Sequence, residues 1–303
     1  MELSKDLFRK LEDNEKNSEF IAVQSRTYLQ DAWIRFRRNK LALAGLVFIT
    51  IMILGAIFVP ILSRYTYEGQ DIANRHALPS AAHWFGTDKF GRDIFVRIFY
   101  GARISLSIGF LAAFINLCIG IVYGGISGFV GGRVDLFMMR VVDILYSVPE
   151  MLYVILIMVV LGSNMTSILI GICISSWVGM ARLVRTQVLS LKQQEFSLAA
   201  QVMGASNTRI LFKHLIVNSI GPIIVSVTMM VPSAIFTEAF LSMVGIGISI
   251  PMSSWGTMAN EARELYQNYP IEIIWPIACI CLTMLSLNFI GDGLGDSLDP
   301  NKK

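Results

Sequence analysis

The chain has 303 residues, of which 54% are hydrophobic and only 16% are charged, and its mean hydropathy is +0.59. Soluble domains carry about 25% charged residues, so this composition indicates a membrane protein. The net charge of +3 is too small to indicate a nucleic-acid partner. All four cysteines lie within apolar runs, where they act as small apolar residues and indicate neither disulfides nor a metal site.

Six apolar runs organise the sequence, and each is close to the roughly 20 residues that a helix needs to cross the hydrocarbon core. They lie near 41–62, 104–126, 141–161, 166–181, 215–236 and 272–291. Lipid offers the backbone no hydrogen-bond partner, so a spanning segment is a helix or part of a closed barrel. Because the runs are continuously apolar rather than alternating, we predict an all-α integral membrane protein with six transmembrane helices.

Residues 1–40 form a polar N-terminal region in which we find no pattern of a removable signal peptide. The basic cluster Trp33-Ile-Arg-Phe-Arg-Arg-Asn-Lys40 directly precedes the first predicted transmembrane helix, at 41–62. Basic flanks remain in the cytoplasm, so this region is predicted to be cytoplasmic. Six crossings would return the tail 293–303 to the same side.

The segment 63–102 is predicted to be an external loop, although its arginines and lysines fit the positive-inside rule less well. Gly86 and Gly91 bracket a tight turn in which Thr87 and Asp88 can bond nearby backbone N–H groups. Neighbouring side chains can join that turn to a helix beginning near Ile94.

Two roles remain open for this turn: a rigid surface turn, or part of a docking surface for an external protein. The docking alternative involves Trp84, Asp88, Arg92 and Asp93. The spacing of His76, His83 and Asp88 matches no zinc pattern, so we predict no metal site.

Charged residues inside predicted spans are costly in lipid and usually face a cavity or a partner. They are Asp143 and Glu150 in the third span and Glu238 in the fifth. We hypothesise that Asp143 and Glu238 line a water-filled translocation pathway, in which Glu238 would suit a cationic group. The alternative is structural pairing, of Asp143 with Arg140 or Arg182 and of Glu238 with a residue of a partner subunit.

The cytoplasmic segment 190–214, between the fourth and fifth spans, contains an amphipathic stretch. Its polar sector holds Gln193, Gln194, Ser197 and Gln201. Opposite lies a broad apolar face, interrupted by Glu195 and formed by Leu191, Phe196, Leu198, Ala199, Val202 and Met203. Helices that rest on a bilayer usually carry Lys and Arg on the polar face. Glutamine and serine instead favour a protein partner.

Two short helices are predicted within this segment. Gly204 can end the first, because glycine tolerates the left-handed conformation. Ser206 or Asn207 can cap a second helix that runs through Ile210 towards His214. The result is a compact knob, with small alanines at 199 and 200, that can transmit force to a soluble motor.

The run Glu195-Phe-Ser-Leu-Ala-Ala-Gln-Val-Met-Gly-Ala-Ser206 resembles the EAA loop of ABC-importer permeases, which docks in a cleft of the ATPase subunit. Leu198 stands where an acid is expected and Val217 where a proline is expected, so any salt bridge of that acid is in doubt; Glu195 can substitute in part. The resemblance assigns coupling to Glu195, Ala199, Ala200, Gly204, Ala205, Ile210 and His214.

The run from His83 to Asp93, followed by Gly101-Ala-Arg-Ile-Ser-Leu106, is typical of the C-type permeases of dipeptide and oligopeptide importers, and related nickel importers share it. Similarity extends from about 83 to 300. It implies the transmembrane domain of a type I ABC importer, with a five-helix core at 103–292.

No P-loop of the form G-x-x-x-x-G-K-[ST] occurs, so ATP hydrolysis is expected from separate subunits. The resemblance implies a transport subunit that is not an enzyme and binds no cofactor, with ATP and Mg on its partners. Those partners are a second homologous permease, two ABC ATPases and an external peptide-binding lipoprotein, assembled in the bacterial cytoplasmic membrane with both termini of this chain inside.

The function implied is the import of oligopeptides. Dipeptides, nickel or another small solute remain as alternative cargoes of the same architecture. An ion-driven secondary transporter is the rival of another class, but such proteins often carry inverted repeats, and we find none in this sequence.

Overall fold

The structure is a computed structural model that describes residues 27–248 and 252–298. The predictions for residues 1–26 and 299–303 lie outside this part of the chain. Within it the chain is helical, and the one β-type pairing is an isolated bridge between Thr87 and Asp93. The all-α prediction is confirmed.

Thirteen helical segments follow one another within the described ranges. They are α1 Tyr28–Arg38, α2 Lys40–Leu62, α3 Ile94–Val130, α4 Gly132–Ser147, α5 Glu150–Leu161, α6 Met165–Ser175, α7 Trp177–Lys192, α8 Glu195–Val202, α9 Asn207–Arg209, α10 Ile216–Asn218, α11 Ile220–Val244, α12 Trp255–Arg263 and α13 Pro270–Leu298. A π-helical turn, Ile210–Leu215, joins α9 to α10, and Ile72–Asn74 form a short 3-10 turn.

Five helical stretches of the described chain are long and apolar enough to cross a membrane, namely α2, α3, α6 with α7, α11 and α13. A sixth span results if α4 and α5, bent by 77°, count as one. The bend lies at Val148 and Pro149, inside the predicted third span 141–161. Proline lacks the N–H of a helical bond and pushes the preceding residue into extended conformation, and Val148 is extended.

The helix α3 begins earlier than its apolar run indicates. Asp93 caps it by accepting a hydrogen bond from Val96 N (2.9 Å), and this start agrees with the helix predicted from near Ile94; the predicted external segment 63–102 therefore includes the first turns of α3. Two arginines interrupt the apolar run in these turns, but both are paired. Arg97 meets acidic residues, and Arg103 donates to Ala56 O (2.9 Å). At the other end of the chain, α13 runs on to Leu298, so the predicted boundary at 292 lies inside a helix.

The helix α3 forms the middle of the bundle, where it packs against α2, α7 and α11. It lies close to α7, since a Cβ added to Gly124 would overlap the backbone of Ala181, and the two helices run parallel. At the C-terminal ends of the two helices, Lys192 Nζ donates to Phe129 O (2.6 Å). The segment 63–93 therefore lies at one end of the bundle and the segment 193–219 at the other.

Candidate functional site

The turn before α3 is built around Asp88. Its carboxylate accepts hydrogen bonds from Phe90 N (2.8 Å) and Arg92 N (3.0 Å), while Thr87 Oγ1 accepts one from Ala77 N (2.8 Å). Gly91 has a φ of +74°, and a Cβ there would overlap the carbonyl of Asp71. The predicted tight turn is confirmed, including its need for glycine.

Asp88 is also the hub of an ion-pair network that joins three parts of the chain. Its Oδ2 accepts from Arg92 Nε (2.7 Å) and Arg97 Nη1 (2.5 Å). Both arginines also contact Glu261 of α12, at 2.5 and 3.0 Å. The network ties the turn to α3 and α12, and every member except Glu261 is buried.

This network corrects the docking interpretation of the same residues. Asp88, Arg92 and Asp93 are buried within the subunit, and of the four expected contact residues only Trp84 is exposed, at 63%. The Asp93 carboxylate is used internally, because it lies 2.8 Å from His83 Nδ1. Three of the four side chains therefore serve to make the turn rigid, and Trp84 is the one of the four that a partner could contact.

At the other end of the bundle, α8 ends at Gly204 and the second short helix follows. Gly204 has a φ of +79°, and Ser206 Oγ accepts from Arg209 N (3.4 Å), as the sequence predicts. We call residues 195–214 the knob. Ala200, Ile210 and Leu211 fix it to the bundle, because they pack against Val184 and other buried residues of α7.

Part of the outer surface of the knob is apolar. Val202 is 89% exposed and Met203 is 81% exposed, and Phe196 and Leu198 are also exposed. Ser197, expected on an outward polar face, is instead buried. Small side chains at 197 and 200 let α8 sit close to the ends of α3 and α7, and this turns the larger apolar residues outward.

The predicted coupling residues divide into two groups. Ala200 and Ile210 are buried in one cluster, with Ala205 packed against it. Glu195, Ala199 and Gly204 are exposed, and His214 is partly buried. The buried group therefore attaches the knob to the bundle, and the exposed group lies on the surface of the knob.

The two carboxylates predicted to line a pathway are both engaged inside this subunit. Arg182 Nη2 donates to Asp143 Oδ1 (2.8 Å), which is the structural alternative. Glu238 is 0% exposed and accepts hydrogen bonds from Ser242 (2.8 Å) and Ser105 (3.1 Å). Glu238 is therefore buried between α3 and its own helix, α11, in this conformation.

A crevice of about 480 Å³, which sequence reasoning missed, opens beside the break between α4 and α5. Its polar lining includes Glu150, Asn116, Ser175, Ser226 and Ser233, which come from four separate parts of the chain. Glu150 carried a local signal, since a charged residue inside a predicted span usually faces a cavity or a partner. The other residues are brought together only by the packing of α3, α6 and α11.

Known proteins resemble this chain over almost its full length. Residues 120–303 match the family described as "Binding-protein-dependent transport system inner membrane component", and residues 27–79 match "N-terminal TM domain of oligopeptide transport permease C". The chain belongs to the first of these families. It is an inner-membrane permease.

Individual relatives of the permease support this membership. It is 50% identical over 298 residues to the oligopeptide transport system permease protein OppC of Bacillus subtilis (strain 168), and the aligned region covers 98% of each chain. It is 46% identical to the dipeptide permease protein DppC of the same strain, over 95% of this chain and 91% of that one. OppC of Escherichia coli (strain K12) is 41% identical, over 95% of this chain and 96% of that one.

A solved structure supports the fold of the permease. A chain of the MetNI methionine ABC transporter in an inward-facing conformation matches with a TM-score of 0.54 and 17% identity. The match covers 66% of this chain and 95% of that one. The fold is therefore that of a type I ABC importer transmembrane domain, as predicted, and the permease is a multi-pass transport subunit rather than an enzyme.

Two positions of the permease depart from the EAA motif, and both lie on the surface. Leu198 and Val217, which replace an acid and a proline, are each about half exposed. Glu195 makes no ion pair with another described residue. Its carboxylate lies on the exposed surface of the knob.

Proposed function

We propose that this permease imports oligopeptides across the bacterial cytoplasmic membrane, powered by ATP that separate subunits hydrolyse. The observation that carries the proposal is the 50% identity, over 98% of both chains, with an oligopeptide transport permease. Dipeptides are the second candidate cargo, because a dipeptide permease is 46% identical. The family match favours delivery by a binding protein over an ion-driven mechanism.

In the proposed complex, this chain pairs with a second homologous permease and two ABC ATPases. The ATPases hold ATP and Mg, since the chain has no P-loop. A peptide-binding lipoprotein delivers cargo from outside, at the end of the bundle that carries the segment 63–93. Both termini and the knob lie in the cytoplasm, and the basic cluster before α2 favours that orientation.

The knob is the proposed point of coupling to an ATPase. Val202 and Met203 form an apolar protrusion, and apolar surface of this kind gains free energy when a partner's cleft excludes water from it. The buried residues Ala200, Ile210 and Leu211 connect that protrusion rigidly to α7. Movement of the ATPase is thereby passed to the bundle, provided that the ATPase binds the inward and outward states with different affinity.

Uptake by a strain that lacks its native peptide importers tests the proposal. The strain carries this permease with its partner subunits, and it is offered a radiolabelled tripeptide, a radiolabelled dipeptide or radiolabelled nickel. We expect the tripeptide to accumulate, and accumulation to stop when the ATPase subunits are removed. Accumulation of nickel alone would contradict the cargo, and peptide uptake that persists without the ATPases would contradict the mechanism.

A further inference from the structure

The crevice at the α4–α5 break has the dimensions of a ligand site. Its volume of about 480 Å³ falls within the range of roughly 300–1,000 Å³ of small-molecule pockets. The break itself exposes Pro149 and places Glu150 at the first position of α5. Helix breaks at membrane depth are tolerated where they line a cavity, so the bend and the crevice belong together.

Glu150 is a carboxylate without a countercharge. Its one hydrogen-bond partner among the described residues is Thr237, whose Oγ1 donates to Glu150 Oε1 (3.2 Å). The N-terminus of α5 favours a negative charge at this position. An acid within the bundle, facing a cavity and unpaired with any described base, is suited to a cationic ligand.

Two further polar atoms in the same wall have no partner. Asn116 is only 1% exposed, and its Oδ1 makes no hydrogen bond. Ser175 Oγ is also buried and unpaired. A buried acceptor without a donor costs roughly 1–3 kcal/mol, so a ligand that supplies N–H donors would relieve that cost. The crevice thus offers acceptors and a negative charge but, in its described lining, no basic side chain.

We propose that this crevice holds the protonated amino terminus of a peptide in transit, with Glu150 as countercharge and Asn116 Oδ1 as a second acceptor. The inference rests on the proposed function. An ammonium group has N–H donors and no acceptor, and it therefore matches the crevice lining. The amino terminus is common to all unmodified peptides, whereas Met229 and Met230 in the remaining wall are adaptable apolar residues. The site thus recognises the class of cargo and not its sequence.

Competition for photo-crosslinking measures this recognition directly. The purified complex of both permeases and both ATPases, without the binding protein, is irradiated with tritiated alanyl-benzoylphenylalanyl-alanine. The competitors are Ala-Phe-Ala and its N-acetylated form. We expect the free peptide to suppress labelling at a concentration about tenfold lower, equivalent to about 1.4 kcal/mol. In Glu150→Gln this difference should disappear.

Asp143→Asn is the matched control, because Asp143 is a second acid of the same bent span but is paired with Arg182. It should keep the tenfold difference. If Glu150→Gln fails to assemble, Asn116→Leu is the second variant, because leucine is similar in size to asparagine. We expect the difference between the two competitors to fall from tenfold to about threefold, because one hydrogen bond to the ammonium group is lost.

The proposal is wrong if Ala-Phe-Ala and its N-acetylated form suppress labelling equally in the unsubstituted complex, or if the tenfold difference persists in Glu150→Gln. It is also wrong if the crosslinked residues lie outside the crevice lining. An N-acetylated competitor containing lysine that competes as well as the free peptide would also contradict recognition of the amino terminus. Uptake by the complete importer separates these failures from a failure of the proposed function. If tripeptide is imported normally and the competition shows no preference, only the role of the crevice is wrong.

Discussion

The Asp88 carboxylate bonds the backbone of its own turn and ties that turn to α3 and α12. Its substitution by asparagine should therefore lower the stability of the folded permease. Asparagine keeps the shape but removes the charge that Arg92 and Arg97 share. Breaking a buried ion pair by removing one partner costs roughly 3–5 kcal/mol, because the other charge is left buried. We expect Asp88→Asn to lower the melting temperature of the purified permease in detergent, measured by thermal unfolding.

Asp71→Asn is the control for this prediction. Asp71 is an exposed aspartate of the same segment, and it accepts a hydrogen bond from Ala73 N (3.1 Å) much as Asp88 does from Phe90 N. Its substitution should leave the melting temperature close to that of the unsubstituted protein. Equal effects of the two substitutions would show that the buried network contributes no special stability.

At such sites, contacts between residues that are close in sequence can be predicted, but contacts between residues far apart in sequence cannot. The bonds of Asp88 to backbone atoms within four residues follow from turn chemistry. Its link through Arg92 to Glu261 joins positions 169 residues apart, and no local pattern contains that pairing. Glu238 shows the same limit, because the enclosing Ser105 belongs to a different helix.

Close contact between α3 and α7 requires a glycine at 124 but not at the neighbouring position 125. An alanine at Gly124 would overlap the backbone of Ala181, whereas an alanine at Gly125 would meet Leu211 at an ordinary 3.5 Å. We expect Gly124→Ala to destabilise the bundle by roughly 1–3 kcal/mol, the usual cost of overpacking. Gly125→Ala should be nearly neutral. Thermal unfolding of the two variants side by side checks this, and a reversed order would contradict the parallel close packing.

The knob depends on the backbone conformation of Gly204 and not on the space around it. No atom lies within 4 Å of a Cβ added there, but the positive φ of +79° is unfavourable for other residues. Valine should strain the turn by roughly 1–2 kcal/mol, whereas asparagine tolerates this conformation.

The readout for the knob is peptide uptake in cells, with permease abundance held equal. We expect Gly204→Val to reduce uptake strongly and Gly204→Asn to retain most of it. A valine variant with normal uptake would mean that the shape of this turn is unimportant for coupling.

Hydropathy locates the spans but not the irregularities within them. The length of an apolar run is a local property, so α2, α11 and α13 lie close to their predicted positions. Apolar length alone places the start of α3 too late, because Arg97 and Arg103 interrupt the run and their partners lie in other elements; only the turn before it indicates a helix from near Ile94. The break at Val148 and Pro149 follows from proline chemistry, but no local pattern gives its 77° angle.

At the scale of the whole molecule, the two ends of the bundle differ in character. The end with the segment 63–93 buries the charges of Asp88, Arg92 and Arg97 in a network, and the opposite end exposes the apolar residues Val202 and Met203. The motif at 195–214 allowed the knob to be predicted, because all its parts are adjacent in sequence. The crevice beside Glu150 could not be predicted in this way, because its walls converge only in the folded bundle.

Coupling through the knob is the central claim, and site-specific photo-crosslinking tests it most directly. Benzoylphenylalanine is placed at Met203 in cells that carry the whole importer, and at the equally exposed Leu78 of the opposite end as control. We predict that irradiation joins position 203 to an ATPase subunit, and that position 78 gives no such adduct. Position 203 without an ATPase adduct, or labelled by a reagent that cannot enter the cell, would contradict the account.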